Sequence, residues 1–168
     1  MFLFRLVYYS RSQVNHLGLS VSKEIKSILE SCTRNNAALG LTGALVFNEH
    51  YFAQVLEGDR GAVTSTFCKI ANDNRHSDLV IMEAVPVPKR LFANWSMAYA
   101  GHSDMIDKLY LKYAITIGLN PSRMTADSLL GLIAELVQAD GHVAHADILQ
   151  QRPDGTQRAP HQEVASAQ

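Results

Sequence analysis

The first hundred residues alternate between two hydrophobic periods. Residues 2–9 (FLFRLVYY) are rich in aromatic and β-branched side chains and predict a strand with Phe2, Phe4, Leu6 and Tyr8 on one face. From about Ser20 to Arg34 the period lengthens. Ile25, Ile28, Leu29 and Cys32 recur at helical spacing and form one apolar stripe. Gly40 and Gly43 bracket the start of a second strand at 41–47, Asn48–Glu49–His50 makes a turn, and 51–57 returns as a third. Gly58–Asp59 is expected to break that strand. A second helix follows from about Arg60 to Asn72, with Val63, Phe67 and Ile70 on one side. Residues 79–85 read as a fourth strand, ended by Pro86 and Pro88, which cannot donate to a ladder, and 94–100 as a fifth. The order β-α-β-β-α-β-β predicts an α+β fold of ferredoxin-like layout, a mixed five-stranded sheet with two helices on one face.

Beyond residue 101 the pattern is helical. Residues 104–117 carry Ile106, Leu109, Tyr110, Tyr113 and Ile117 at helical spacing, and a second helix at about 125–139 carries Leu129, Leu132, Ile133 and Leu136. The pair has more apolar surface than a two-layer domain needs. The expected organisation is a sensor-sized domain at 1–101, a helical pair for relay or oligomerisation at 102–140, and a tail at 141–168. That tail is expected to be disordered because its end, from Gln150, is polar, with almost no bulky apolar residues.

Composition narrows the function. The 168 residues are 47% hydrophobic, enough for a core. Charged residues make up only 18%, below the usual ~25%, which suggests that another chain covers part of the surface. A net charge of −1 argues against a nucleic-acid binder or a membrane-surface protein. Two cysteines fit a reducing cytoplasm rather than a disulfide scaffold. No apolar run nears the ~20 residues that span a bilayer, and the N-terminus has no signal-peptide pattern. The length is expected to leave no room for a separate catalytic domain.

Most motif searches fail. There is no Gly-rich phosphate loop, no nucleophile elbow around Ser10 or Ser20, and no His/Cys/acid set at metal spacing around His142 and His145. Cys32 sits on an apolar stripe and reads as an inert core thiol.

Two conflicts between pattern and residue type survive. In the third strand Gln54 shares a face with Phe52 and Leu56, so its amide points at the core, where an unbonded amide costs about 1–3 kcal/mol. Tyr8 is in the same position on the first strand. The two strands are neighbours in a ferredoxin-like sheet, so Tyr8 and Gln54 either satisfy each other or line a pocket for a polar ligand. The second conflict lies at the helix ends, Arg34–Asn35–Asn36 and Asp73–Asn74–Arg75–His76. Ordinary C-capping explains each alone. If both ends lie on one side of the sheet, they converge as a groove that suits a flat aromatic ligand with polar edges.

These residues carry a resemblance. RLVYYS with Tyr8, TRNNAALGLTGALVF with Asn36 and Gly43, FAQVLEG with Gln54, IANDNRHSD with Asp73, Arg75 and His76, and RLFANWSM with Trp95 and Met97 occur in the order and spacing of the BLUF family, the blue-light sensors that use flavin. The chain resembles a short stand-alone member over about residues 2–98. The resemblance implies a noncovalent FAD between the two helices, with Tyr8 as the photoactive tyrosine and Gln54 as the switching glutamine. Asn36 would bond the polar edge of the ring, and Asp73, Arg75 and His76 would contact the ring and ribityl region, with Arg34 assisting. Trp95 and Met97 would relay the signal. The implied output is a switch and not turnover, acting on a regulatory protein partner such as a cyclic-di-GMP phosphodiesterase or a response regulator. Short relatives form homo-oligomers, dimers or larger rings. Cys32 stands where some relatives have serine, and a thiol is the weaker hydrogen-bond donor. The residues alone leave two rivals open: a flavin-dependent redox enzyme, and a ferredoxin-like phosphohydrolase holding phosphate with Arg34 and Asn36.

Overall fold

A computed structural model describes residues 3–99, 104–114 and 117–139. Strand β1 (Leu3–Ser12) is followed by α1 (Val21–Ala38), β2 (Thr42–Phe47), β3 (Tyr51–Asp59), α2 (Arg60–Ala71), β4 (His76–Pro86) and β5 (Trp95–Tyr99). Then come α3 (Asp104–Tyr113), a 3-10 turn at Pro121–Arg123 and α4 (Ala126–Ala139). The fold is α+β. The antiparallel body of the sheet has four strands rather than five, in the order β4-β1-β3-β2, and the fifth segment is a short edge strand that joins β2 in parallel.

Several boundaries move for local reasons. β3 runs through Gly58 to Asp59, because Asp59 is both the strand's last residue and the N-cap of α2. Its Oδ1 accepts the amides of Gly61 at 2.9 Å and Ala62 at 3.2 Å, which would otherwise lack intrahelical partners. The hairpin turn also rests on one side chain: Asn48 Oδ1 accepts the amides of His50 and Tyr51.

Helix α1 is longer than expected. It passes through Asn35 and Asn36 and stops where Gly40 takes φ +62°. The Leu41 amide donates to Asn36 O and the Gly40 amide to Ala37 O, the paired closing bonds of a Schellman ending. Gly40, not an asparagine, is the left-handed residue. Gly43 has a different constraint. A Cβ there would lie 1.9 Å from the carbonyl oxygen of Val55 on the neighbouring strand, so β2 reaches β3 only with glycine at this position.

The two faces of the sheet are covered by different helices. On one face α1 packs over Val14, Leu45, Phe47 and Phe52 through Ile25 and Ile28. Beside it, α2 packs over Leu6, Tyr8 and Leu56 through Val63 and Phe67. On the other face Val7, Ala44, Val46, Ala53 and Val55 meet Tyr110 of α3 and Leu129, Leu132, Ile133 and Leu136 of α4. The apolar surplus at 104–139 is therefore used inside the chain, as the third layer of an α/β/α arrangement. A boundary at residue 101 separates two segments that share one core. The segment 141–168 lies outside the described residues. No described helix is long and apolar enough to cross a membrane.

Gly43→Ala is expected to cost at least about 2 kcal/mol by forcing β2 away from the Val55 carbonyl. Urea denaturation against the parent measures it.

Candidate functional site

Antiparallel pairing of the two central strands places Tyr8 directly opposite Gln54. The same cross-strand row continues to Ile81 on β4, Leu45 on β2 and Met97 on β5. Tyr8 and Gln54 are both buried, and the Tyr8 hydroxyl donates to Gln54 Oε1. The two polar side chains on an apolar face thus satisfy each other, as the first of the two sequence readings expects. Phe67 of α2 meets the phenol edge-on, with ring centroids 5.0 Å apart. Burial, and after it the nearby Cys32 and Asp73, push the Tyr8 phenol well above its ordinary value. Tyr8 therefore keeps its proton and acts as the donor of the pair.

The expected convergence of the two helix C-termini does not occur. Both helices run back against the strand before them, and those strands, β1 and β3, are antiparallel. The helices consequently point in opposite directions. Arg75, which follows α2, meets Glu24 in the first turn of α1, with Nη1 3.2 Å from Oε2. Asn36 lies in the last turn of α1, at the far end, beside Leu41 and the start of α2. The candidate binding residues thus form two groups, with the Tyr8–Gln54 pair between them.

At the Asn36 end the salient fact is an unmet hydrogen bond. Asn36 is 2% exposed, and its Nδ2 has no partner among the described residues. At the other end Asp73 folds the chain around itself. Its carboxylate accepts from the Arg75 amide at 2.9 Å and from Arg75 Nε at 2.9 and 3.0 Å. Burial works against the ionised form of Asp73, but hydrogen bonds and charge from Arg75 outweigh it and hold the carboxyl below its usual range. His76 is not a helix-end residue as expected. It opens β4 opposite Ser12, shares a 2.8 Å hydrogen bond between Nδ1 and Ser10 Oγ, and packs against Phe52 with ring centroids 4.7 Å apart. Burial lowers its imidazole to about 4; the Asp73 charge opposes that and the Arg75 charge adds to it. Burial likewise raises the Cys32 thiol to about 11, with Arg75 opposing, so the thiol stays protonated as its place on the apolar stripe implies.

Of the remaining candidates, Arg34 lies on the exposed side of α1. On β5, register places Trp95 opposite Gly43 and Met97 opposite Leu45, one strand removed from Gln54. Their side chains, and His142 and His145, lie outside the described residues. Sequence reasoning missed Ser10, Phe52 and Glu24 as members of the site. Ser10 and Phe52 were findable, since each lies two residues from Tyr8 or Gln54 on the same strand face. Glu24 carried no signal, because its partner is 51 residues away.

The family model described as "BLUF: Sensors of blue-light using FAD" matches residues 3–98. Over 78 residues the chain is 35% identical to the photoactivated adenylate cyclase subunit beta of Euglena longa. That match takes in 46% of this chain and only 9% of the relative. Among solved structures, BlsA in its photo-activated state superposes with a TM-score of 0.70 at 26% identity, over 80% of this chain and 94% of BlsA. Klebsiella pneumoniae BlrP1, solved with FMN and cyclic diGMP, gives a TM-score of 0.51 at 31% identity, over 58% of this chain and 25% of BlrP1.

The lowered His76 pKa has a stability consequence. The unfolded imidazole takes up a proton near pH 6.5 and the folded one only near 4, so the unfolded state binds more protons in between. The ligand-free protein is expected to lose stability as pH falls from about 6.5 towards 4. His76→Gln should flatten that part of the curve, as urea midpoints measured across this range will report.

Proposed function

The chain belongs to the BLUF family of blue-light sensors using FAD, and from that membership we propose that it is a flavin photoreceptor switched by Tyr8 and Gln54. The observation that carries the reading is the buried hydrogen bond from the Tyr8 hydroxyl to Gln54 Oε1, on the sheet face that α1 and α2 cover. The side chains around it fit a flavin. Asn36 Nδ2 is a buried donor in need of an acceptor, which the polar edge of the ring offers. Asp73, Arg75 and His76 stand at the other end, so an elongated ligand lying between α1 and α2 reaches both groups. Arg34 assists from the exposed side of α1. We assign FAD rather than FMN as the cofactor, following the family description.

A bound flavin supplies a blue-light absorber that becomes a strong oxidant when excited. Tyr8 is placed to give up an electron, since its ring is buried against the helices and its hydroxyl proton already points at Gln54 Oε1. An oxidised phenol is a strong acid, so the proton leaves along that bond. With flavin bound, Tyr8 would end as it began, and Gln54 would be left in a changed orientation or tautomer. Gln suits the task because its amide has a donor end and an acceptor end, and reorientation exchanges them. The altered amide lies in the row that contains Leu45 and Met97, which leads to β5 and then to α3.

The output is regulation of another protein, with a cyclic-di-GMP phosphodiesterase as the proposed partner, and Trp95 and Met97 as relay positions. Two relatives bear on this: the Euglena cyclase subunit, in which the matched part is a small fraction of the whole, and BlrP1, solved with cyclic diGMP. Residues 1–101 are proposed as the sensing unit and 102–140 as a relay helical pair within a homo-oligomer.

Purified protein is expected to show an oxidised-flavin spectrum that shifts slightly to the red in blue light and recovers in darkness. A colourless preparation, or one that oxidises NADH in steady state without a shift, would sink the reading. Tyr8→Phe and Gln54→Leu should each retain flavin and lose the shift. Asn36→Ala should weaken flavin binding roughly fivefold, the worth of one hydrogen bond of about 1 kcal/mol, in a fluorescence titration.

A further inference from the structure

On the sheet face opposite Gln54, three residues along β3, Glu57 is completely buried. A buried carboxylate is costly unless it is fully hydrogen-bonded. This one accepts from Arg5 Nε at 2.9 Å and from two consecutive backbone amides, Leu91 at 2.9 and 3.0 Å and Phe92 at 3.0 Å. Leu91 and Phe92 lie in the segment between β4 and β5. The residue before them, Arg90, ties the same segment down from outside. Its guanidinium donates to the carbonyls of Glu57 and Gly40 at 2.7 and 2.9 Å and to Thr42 Oγ1 at 2.7 Å.

Two residues after Phe92, the Asn94 carbonyl accepts the Gly43 amide at a long 3.4 Å. There the parallel pairing of β2 with β5 begins. β5 spans only Trp95–Tyr99 and has a single strand neighbour, so its own ladder is a weak determinant of its place. The firm anchor is upstream, at Glu57 and Arg90.

We propose that Glu57 is a positioning residue for the light switch: through the amides of Leu91 and Phe92 it holds β5 in register beside the row containing Gln54. This rests on the photoreceptor reading above. Glu57 touches neither Tyr8 nor Gln54. It acts by confining the strand next to Leu45, and so sets the barrier that Gln54 crosses on its return. Glu57→Gln keeps the shape of the side chain but removes the charge that Arg5 pairs with and turns one acceptor oxygen into a donor that faces an amide. Arg5 retains Glu83, 3.8 Å away, as a second anionic neighbour.

The test is the rate of dark recovery, followed by flavin absorbance on the full-length, flavin-loaded protein. Glu57→Gln should still bind flavin and shift in blue light but recover at least about threefold faster, the scale on which a coupled but non-contacting residue acts. Hydrogen exchange of the Leu91–Tyr99 segment should accelerate with it. Ile133→Val, in the core between sheet and α4, is the control for simple loss of stability and should leave recovery unchanged. An unchanged recovery rate in Glu57→Gln overturns the proposal, as does an equal acceleration in Ile133→Val. If Glu57→Gln does not fold, Arg90→Ala decides: it frees the same segment from the surface, and faster recovery supports the proposal whereas parental recovery overturns it. A parent protein with no light shift removes the photoreceptor reading and this inference together. A normal parental shift with unaffected variants removes this inference alone.

Discussion

The antiparallel pairing of β1 with β3 is the constraint from which the site follows. It sets Tyr8 opposite Gln54 in the middle of the sheet. A one-residue slip of either strand would send all of its side chains to the other face, so the pair exists only in this register. The same pairing sends α1 and α2 in opposite directions. Asn36 therefore stands at one end of the space over the sheet, and Asp73, Arg75 and His76 at the other, tied to the start of α1 by Arg75 and Glu24. A single register thus decides where the Tyr8–Gln54 pair lies and that a ligand serving both groups must be long.

The electrostatics keep the Tyr8–Gln54 pair and its neighbours neutral. Tyr8 retains its proton, Cys32 stays a thiol, and His76 is held neutral by burial. The nearest ion pairs are the Asp73–Arg75–Glu24 cluster at one end and the Glu57–Arg5 pair on the other side of the sheet. The Tyr8 hydroxyl thus has a neutral amide as its hydrogen-bonded neighbour.

Much of this was legible in the amino-acid order because it is periodic. The alternation in 2–9 and 51–57 and the helical stripes showed the elements, and Tyr8 and Gln54 stood out as polar residues in apolar rows. What was not legible depends on where chains cross. Asn35–Asn36 looked like a helix end, but the terminating residue is Gly40, four positions on, because its positive φ lets Leu41 reach back to Asn36. His76 looked like a cation at a helix C-terminus, yet a strand begins there once Asp73 turns the chain. The helix ends were expected to converge because direction was inferred from order without the sign of the β1–β3 pairing. Glu57 breaks no local pattern, since its partners are amides 34 and 35 positions away.

The second face of the sheet carries a consequence for synthesis. β1 is made first, but its two neighbours, β3 and β4, end at residues 59 and 86. The sheet therefore closes around its first-made strand only once residue 86 has been made. Its other face, with Val7, Ala44, Val46, Ala53 and Val55, then waits for α4, which ends at residue 139. Counted from Tyr99, where β5 completes the sheet, that wait lasts roughly 2–8 s at about 5–20 residues per second. During it the nascent protein presents a finished but uncovered apolar sheet, a surface for a chaperone to hold.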